Sequence, residues 1–154
     1  MSSTDTDLYP LLLQQAAALV QDEPDLIAKM ANLSALIYHS LPELNWAGFY
    51  IMREGELVLG PFQGKVACVR IPVGKGVCGT AVATGETQRI ADVHAFPGHI
   101  ACDAASESEL VIPVRVGDQI IAVLDIDSPV LHRFDAADQS ALEQLVRLLE
   151  QSLV

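Results

Sequence analysis

The stretch NWAGFYIMREGELVLGPFQGKVACVRI, residues 45–71, decides the fold. Its apolar residues come in short runs separated by turn formers, the pattern of strands rather than helices. Trp46 to Met52 reads as a first strand, Glu54-Gly55 as a turn, Leu57 to Pro61 as a second strand and Val66 to Ile71 as a third. Glycine and proline punctuate the ends, so the stretch is an antiparallel meander.

Upstream the period changes. Leu8 to Val20, and then Leu26, Ile27, Met30, Leu33, Leu36, Ile37 and Leu41, follow helical spacing and predict two N-terminal helices. Downstream, Val77 to Thr84 predicts a short helix behind the glycines at 74, 76 and 79, with Gly85 as its C-cap. No Gly-Lys-Ser/Thr and no G-x-G-x-x-G occurs, so these glycines form no phosphate cradle. A strand at Gln88 to Ala91 leads into a polar, aperiodic loop, Asp92 to Ser108, of a length that is usually functional. Leu110 to Val116 and Ile120 to Ile126 form a hairpin through Gly117-Asp118. Asp135 then caps a last helix whose Leu142, Leu145, Val146 and Leu149 share one face. The expectation is one α+β domain over 1–154: a mostly antiparallel sheet at 45–130, covered by helices at 1–42 and 135–154.

Composition narrows the function classes. Nine basic residues against 20 acidic ones give a formal charge of -11, which repels phosphate backbones and anionic lipid, and no basic run offers an exception. Neither nucleic acid nor membrane is an expected partner. The start MSSTDTDLYP resembles neither a signal nor a transit peptide, and no apolar run approaches a membrane span. A cytoplasmic location follows as the expectation, and thiols stay reduced there.

Three cysteines cannot form a fully paired disulfide framework, and 154 residues bury a core without staples. Cys102 sits in the polar loop, where a thiol is most exposed to reaction, although its neighbours Asp103 and Glu107 would not lower its pKa. Cys68, read in a strand, and Cys78, beside Gly76 and Gly79, are also compatible with simple packing. Asp125 and Asp127 are two apart in an otherwise apolar strand, so they project from one face while Ile126 points to the other. Trp46 and Tyr50, four apart, share a face in the same way. The run His94-x4-His99-x2-Cys102 lacks paired Cys-x2-Cys spacing and predicts no metal site; its histidines read as loop-ordering groups.

The segments NWAGFYI, LGPFQGKVACVRIPVGKGVCGTAVATGETQRIADVHAFPGHIACDAASESELVIPV and IAVLDIDSP resemble the free methionine-(R)-sulfoxide reductases, enzymes built on a GAF domain. The resemblance runs from about Asn45 to the final helix; the first 40 residues add little. It implies a GAF-like fold with the long loop at the active site, Cys102 as nucleophile, Cys68 as the main resolving thiol and Cys78 as a further thiol able to pair with Cys102. It also implies that Glu109, Asp125 and Asp127 surround the substrate, binding its ammonium and supplying a proton, and that Trp46 and Tyr50 line the pocket for the thioether methyl group. No cofactor is implied. Thioredoxin would be the reductant and a homodimer the assembly. The competing reading is a GAF-type small-ligand or thiol redox sensor. Three thiols and no second domain to receive a signal favour the enzyme.

Overall fold

The computed structural model describes residues 3–99 and 105–154. Two helices, α1 (Ser3–Gln21) and α2 (Leu26–Ser40), precede strands β1 (Trp46–Arg53), β2 (Glu56–Gly64) and β3 (Arg70–Pro72). Helix α3 (Gly76–Thr84) and the short strand β4 (Gln88–Ile90) lead to a 3-10 turn at Val93–Ala95. The long strands β5 (Ser108–Val116) and β6 (Gln119–Ser128) and the helix α4 (Ala136–Ser152) follow. The strands form one six-stranded sheet in the order β3-β2-β1-β6-β5-β4, with every neighbouring pair antiparallel. This is the α+β architecture expected from the change of apolar period.

Alternation along the central strands sorts side chains onto two faces. Ala47, Phe49 and Ile51 of β1, Leu110, Ile112 and Val114 of β5, and Ala122, Leu124 and Ile126 of β6 are buried against α1, α2 and α4. The intervening positions, with Trp46, Tyr50, Val111 and Val123 among them, face α3 and pack on its Val77, Cys78 and Ala81. Gly85 ends α3 in the left-handed conformation (φ 71°), as its position predicts.

The third strand is shorter than its sequence suggests. Residues 65–69 leave the sheet, so Cys68 lies in a loop between β2 and β3 and not in a strand. Two aromatic side chains of β1 hold this segment away from strand pairing. The Trp46 indole N–H donates to the Lys65 carbonyl (3.1 Å), and the Tyr50 hydroxyl donates to the Cys68 carbonyl (2.8 Å).

A buried polar knot ties the helical layer together. Asp135 and Asp138 form a reciprocal capping box at the start of α4. Asp138 also accepts from the Tyr9 hydroxyl of α1 at 2.6 Å and lies 3.6 Å from the Arg133 guanidinium. Arg133 donates in turn to the Pro42 carbonyl, just after α2, at 3.1 and 2.9 Å. Removing the carboxylate takes a counter-ion from a buried guanidinium. Asp138→Ala should therefore destabilise the fold by about 3–5 kcal/mol, read from urea unfolding; a loss under about 1 kcal/mol, the size of an exposed cap, would show that the network is not coupled.

Candidate active site

The register of β1, β6 and β5 assembles the site. Trp46 pairs with Asp127, which pairs on its other side with Glu109; one step along, Gly48 pairs with Asp125, and Asp125 with Val111. Trp46, Asp127 and Glu109 thus form one row across three strands, and Gly48, Asp125 and Val111 the next. All project to the face opposite the terminal helices. The hairpin brings together carboxylates that are 16 and 18 positions apart in the chain, which spacing alone could not do.

Gly48 is required by its neighbours. A Cβ there would meet the Phe62 Cβ at 2.3 Å and its Cα at 2.8 Å, so only glycine lets β2 approach this closely. Phe62 then stacks on Trp46 with ring centroids 5.1 Å apart, and Trp46 stacks on Tyr50 at 5.9 Å. This aromatic wall closes one side of a cavity. Cys78, Gly76 and Val77 come from the first turn of α3, and Glu109, Asp125 and Asp127 from the sheet. Val66 and Ala67 come from the Cys68 loop, and His99 and Ser106 from the long loop. The cavity measures about 40 Å³, room for about three waters. A larger guest therefore requires the loop rims at 66–67, 99 or 106 to give way.

The electrostatics are dominated by burial. Glu109 and Asp125 are 7% and 5% exposed, and no lysine or arginine lines the cavity among the described residues. Burial, reinforced by the charges of Asp125 and Asp127, pushes the Glu109 carboxyl well above the usual carboxylate range. Burial also raises Asp125, partly offset by hydrogen bonding to Glu109, Cys78 and Asp127. The Cys78 thiol is pushed well up by burial and then by Asp125 and Glu109, so it rests protonated. Burial likewise keeps the Tyr50 phenol protonated, as its donated hydrogen bond requires. One oxygen of Asp125, Oδ1, is buried without a hydrogen-bond partner among the described residues.

Of the residues singled out in the sequence, Trp46, Tyr50, Cys78, Glu109, Asp125 and Asp127 meet in this one cavity. Cys68 stands at its edge, next to Ala67; it is disulfide-bonded, whereas Cys78 is free. Cys102 lies outside the described residues. The two histidines part company. His94 is a loop-ordering group: its ring nitrogen lies 2.7 Å from Glu107, which raises its pKa, and the Glu107 carbonyl accepts from Val93 N–H. His99 instead turns inward, 3.9 Å from Glu109, with its pKa lowered by burial and by His94. Its place in the cavity and that of Ser106 were not apparent from sequence, nor was the stacking of Phe62 behind Trp46. Ser106 is set there by Asn45, whose amide donates to its hydroxyl at 3.1 Å.

Known proteins with this arrangement agree on its class. The GAF domain model matches residues 29–154. Protein YtsP of Bacillus subtilis is 63% identical over 94% of this chain and 90% of its own length. The free methionine-R-sulfoxide reductase of Escherichia coli is 58% identical over 96% of this chain and 90% of its own. The solved structure of the Staphylococcus aureus reductase fRMsr in complex with substrate superposes with a TM-score of 0.91 at 54% identity, covering 95% of both chains. The chain is a GAF domain and belongs to the free methionine-R-sulfoxide reductase family.

Proposed function

We propose that the protein reduces free L-methionine-(R)-sulfoxide to methionine, with Cys102 as nucleophile. The observation that carries this reading is the cavity itself, in which three carboxyls, a thiol and an aromatic wall converge with no lysine or arginine among the described residues. Such a pocket is complementary to a small zwitterion whose ammonium meets carboxylate and whose methyl group meets Trp46 and Tyr50. In the first step the Cys102 thiolate attacks the sulfoxide sulfur to form an S–S bond; as the protonated oxygen passes to the cysteine sulfur, the S–O bond and that S–S bond break, leaving Cys102 as a sulfenic acid and releasing methionine. The oxygen needs a proton, and Glu109, held protonated by burial beside two other carboxyls, is placed to supply it. Asp125, the deeper aspartate with an unpartnered oxygen, is the ammonium ligand in this scheme.

In the second step the Cys68 thiol attacks the sulfenic sulfur, water leaves and a disulfide remains. The Tyr50 hydrogen bond to the Cys68 carbonyl fixes the loop that delivers this thiol. Cys78 serves as a further thiol, and a dithiol reductant of the thioredoxin class, taking up the disulfide by exchange, closes the cycle in the cytoplasm.

Cys102→Ser should abolish turnover. Cys68→Ser should still release about one methionine per enzyme without reductant, because sulfenic acid forms but is not resolved. Activity near the parent's in Cys102→Ser, or no methionine at all from Cys68→Ser, would remove these roles.

Blocking the substrate amine removes its ion pair and strands buried carboxylates. N-acetyl-methionine sulfoxide should therefore lose at least about a hundredfold in kcat/KM, the equivalent of about 3 kcal/mol. Equal kcat/KM for the two substrates would rule out the ammonium pocket.

The sign of the pH response follows from Glu109. Its raised pKa means the protonated acid persists to higher pH than for an ordinary carboxyl, and activity falls as pH rises through that value. Glu109→Gln should lower kcat and remove this alkaline limb from single-turnover methionine release. An unchanged limb would assign the proton to another group.

A further inference from the structure

We propose that the cavity is also a binding site for a thiophilic divalent cation, zinc being the type, held by the Cys78 thiolate and the carboxylates of Glu109 and Asp125. One ligand atom from each of these residues lies within 4.8 Å of the other two. All three residues are buried. They also belong to rigid parts of the fold: Cys78 to the first turn of α3, and Glu109 and Asp125 to β5 and β6 at the centre of the sheet. A tetrahedral zinc site places sulfur and oxygen ligands about 3.5 Å apart, so small side-chain rotations close this set around an ion. One soft sulfur with two hard oxygens suits a borderline metal better than calcium or magnesium, which take oxygen alone.

A second observation points into the same space. Asp125 Oδ1 is buried and makes no hydrogen bond among the described residues, so an acceptor stands ready for a ligand. His99, with its Nε2 3.9 Å from Glu109 Oε1, is within reach of the fourth position, which water fills otherwise. Binding exchanges protons for metal: the thiol and the carboxyls lose theirs, and the dication offsets two of the three negative charges that result. This site shares at most His99 with the His94, His99 and Cys102 spacing that the sequence offered. Metal and amino acid would draw on the same carboxylates, so the ion acts as a reversible inhibitor of the reduced protein rather than as a cofactor.

The test uses the full chain with Cys68 and Cys102 replaced by serine, reduced and free of oxygen, titrated with cadmium. Thiolate-to-cadmium charge-transfer absorbance reports Cys78 as the single thiol present. Saturable binding of one cadmium is expected, with affinity lowered at least tenfold in Glu109→Gln and in Asp125→Asn. Added free methionine should weaken it further, and the band should vanish with Cys78→Ser. Both carboxamide variants remove buried charge while keeping shape, so each is checked for native circular dichroism and read alone if the other fails to fold. Absence of the band, or affinity unchanged by either carboxamide, would overturn the proposal; indifference to methionine would overturn the inhibitory role, which rests on the proposed amino-acid site. Because the readout is binding, it stands or falls separately from sulfoxide turnover.

Discussion

The register of β1, β6 and β5 is the constraint on which the rest of the molecule depends. Along these strands each residue facing the helices is followed by one facing the cavity. The helix-facing set of Phe49, Leu110, Ile112, Leu124 and Ile126 is fully or almost fully buried. A slip by one residue would turn these side chains to the cavity and drive Asp125 and Asp127 into the helical core. Each large apolar group contributes about 1.5–3 kcal/mol through its burial, while a buried unpaired carboxylate opposes folding by several kcal/mol. The apolar face therefore holds the polar face in place.

That arrangement makes the cavity a place where charge is unwelcome unless it is brought in by a guest. Burial pushes both Glu109 and Asp125 above the ordinary carboxylate range, so within this small space their ionisation is disfavoured. Cys78, packed against them, is a poor nucleophile for the same reason. An attacking thiolate needs a setting less dominated by carboxylates. Tyr50 gains from the same field, since a phenol that stays protonated keeps donating to the loop of Cys68.

Much of this was legible in the chain, and the failures have physical causes. The two-residue spacing of Asp125 and Asp127 and the four-residue spacing of Trp46 and Tyr50 fix shared faces because strand periodicity is local. Glu109 joins them only through the hairpin, whose Gly117-Asp118 turn could be read and whose register follows from it. The extent of the third strand could not be read. The carbonyls of Lys65 and Cys68 accept from Trp46 and Tyr50, side chains 18 or 19 positions away, and period alone carries no trace of such long-range bonds. His99 was hidden likewise: two histidines in one polar loop look alike in sequence, and only the neighbours, Glu107 for one and Glu109 for the other, separate them.

A GAF-type pocket with this lining is better suited to chemistry than to passive sensing. A receptor for a neutral or anionic ligand has no need of two buried carboxyls beside a third, and desolvating them opposes folding without return. A cationic guest reverses the sign, because its charge pairs with one carboxylate and allows the remaining groups to share protons. The buried cations Arg133 and Lys29 are engaged elsewhere, Arg133 with Asp138 and Pro42 and Lys29 with Ser152, and neither lines the cavity. Apart from the His99 imidazole, no cationic side chain lines the cavity among the described residues, so a cationic guest supplies a charge that the lining lacks. An amino acid carries one ammonium and, as a sulfoxide, one oxygen that accepts a proton as it leaves. Asp125 and Glu109 differ in the way these two demands differ, one with an open acceptor and one held as an acid.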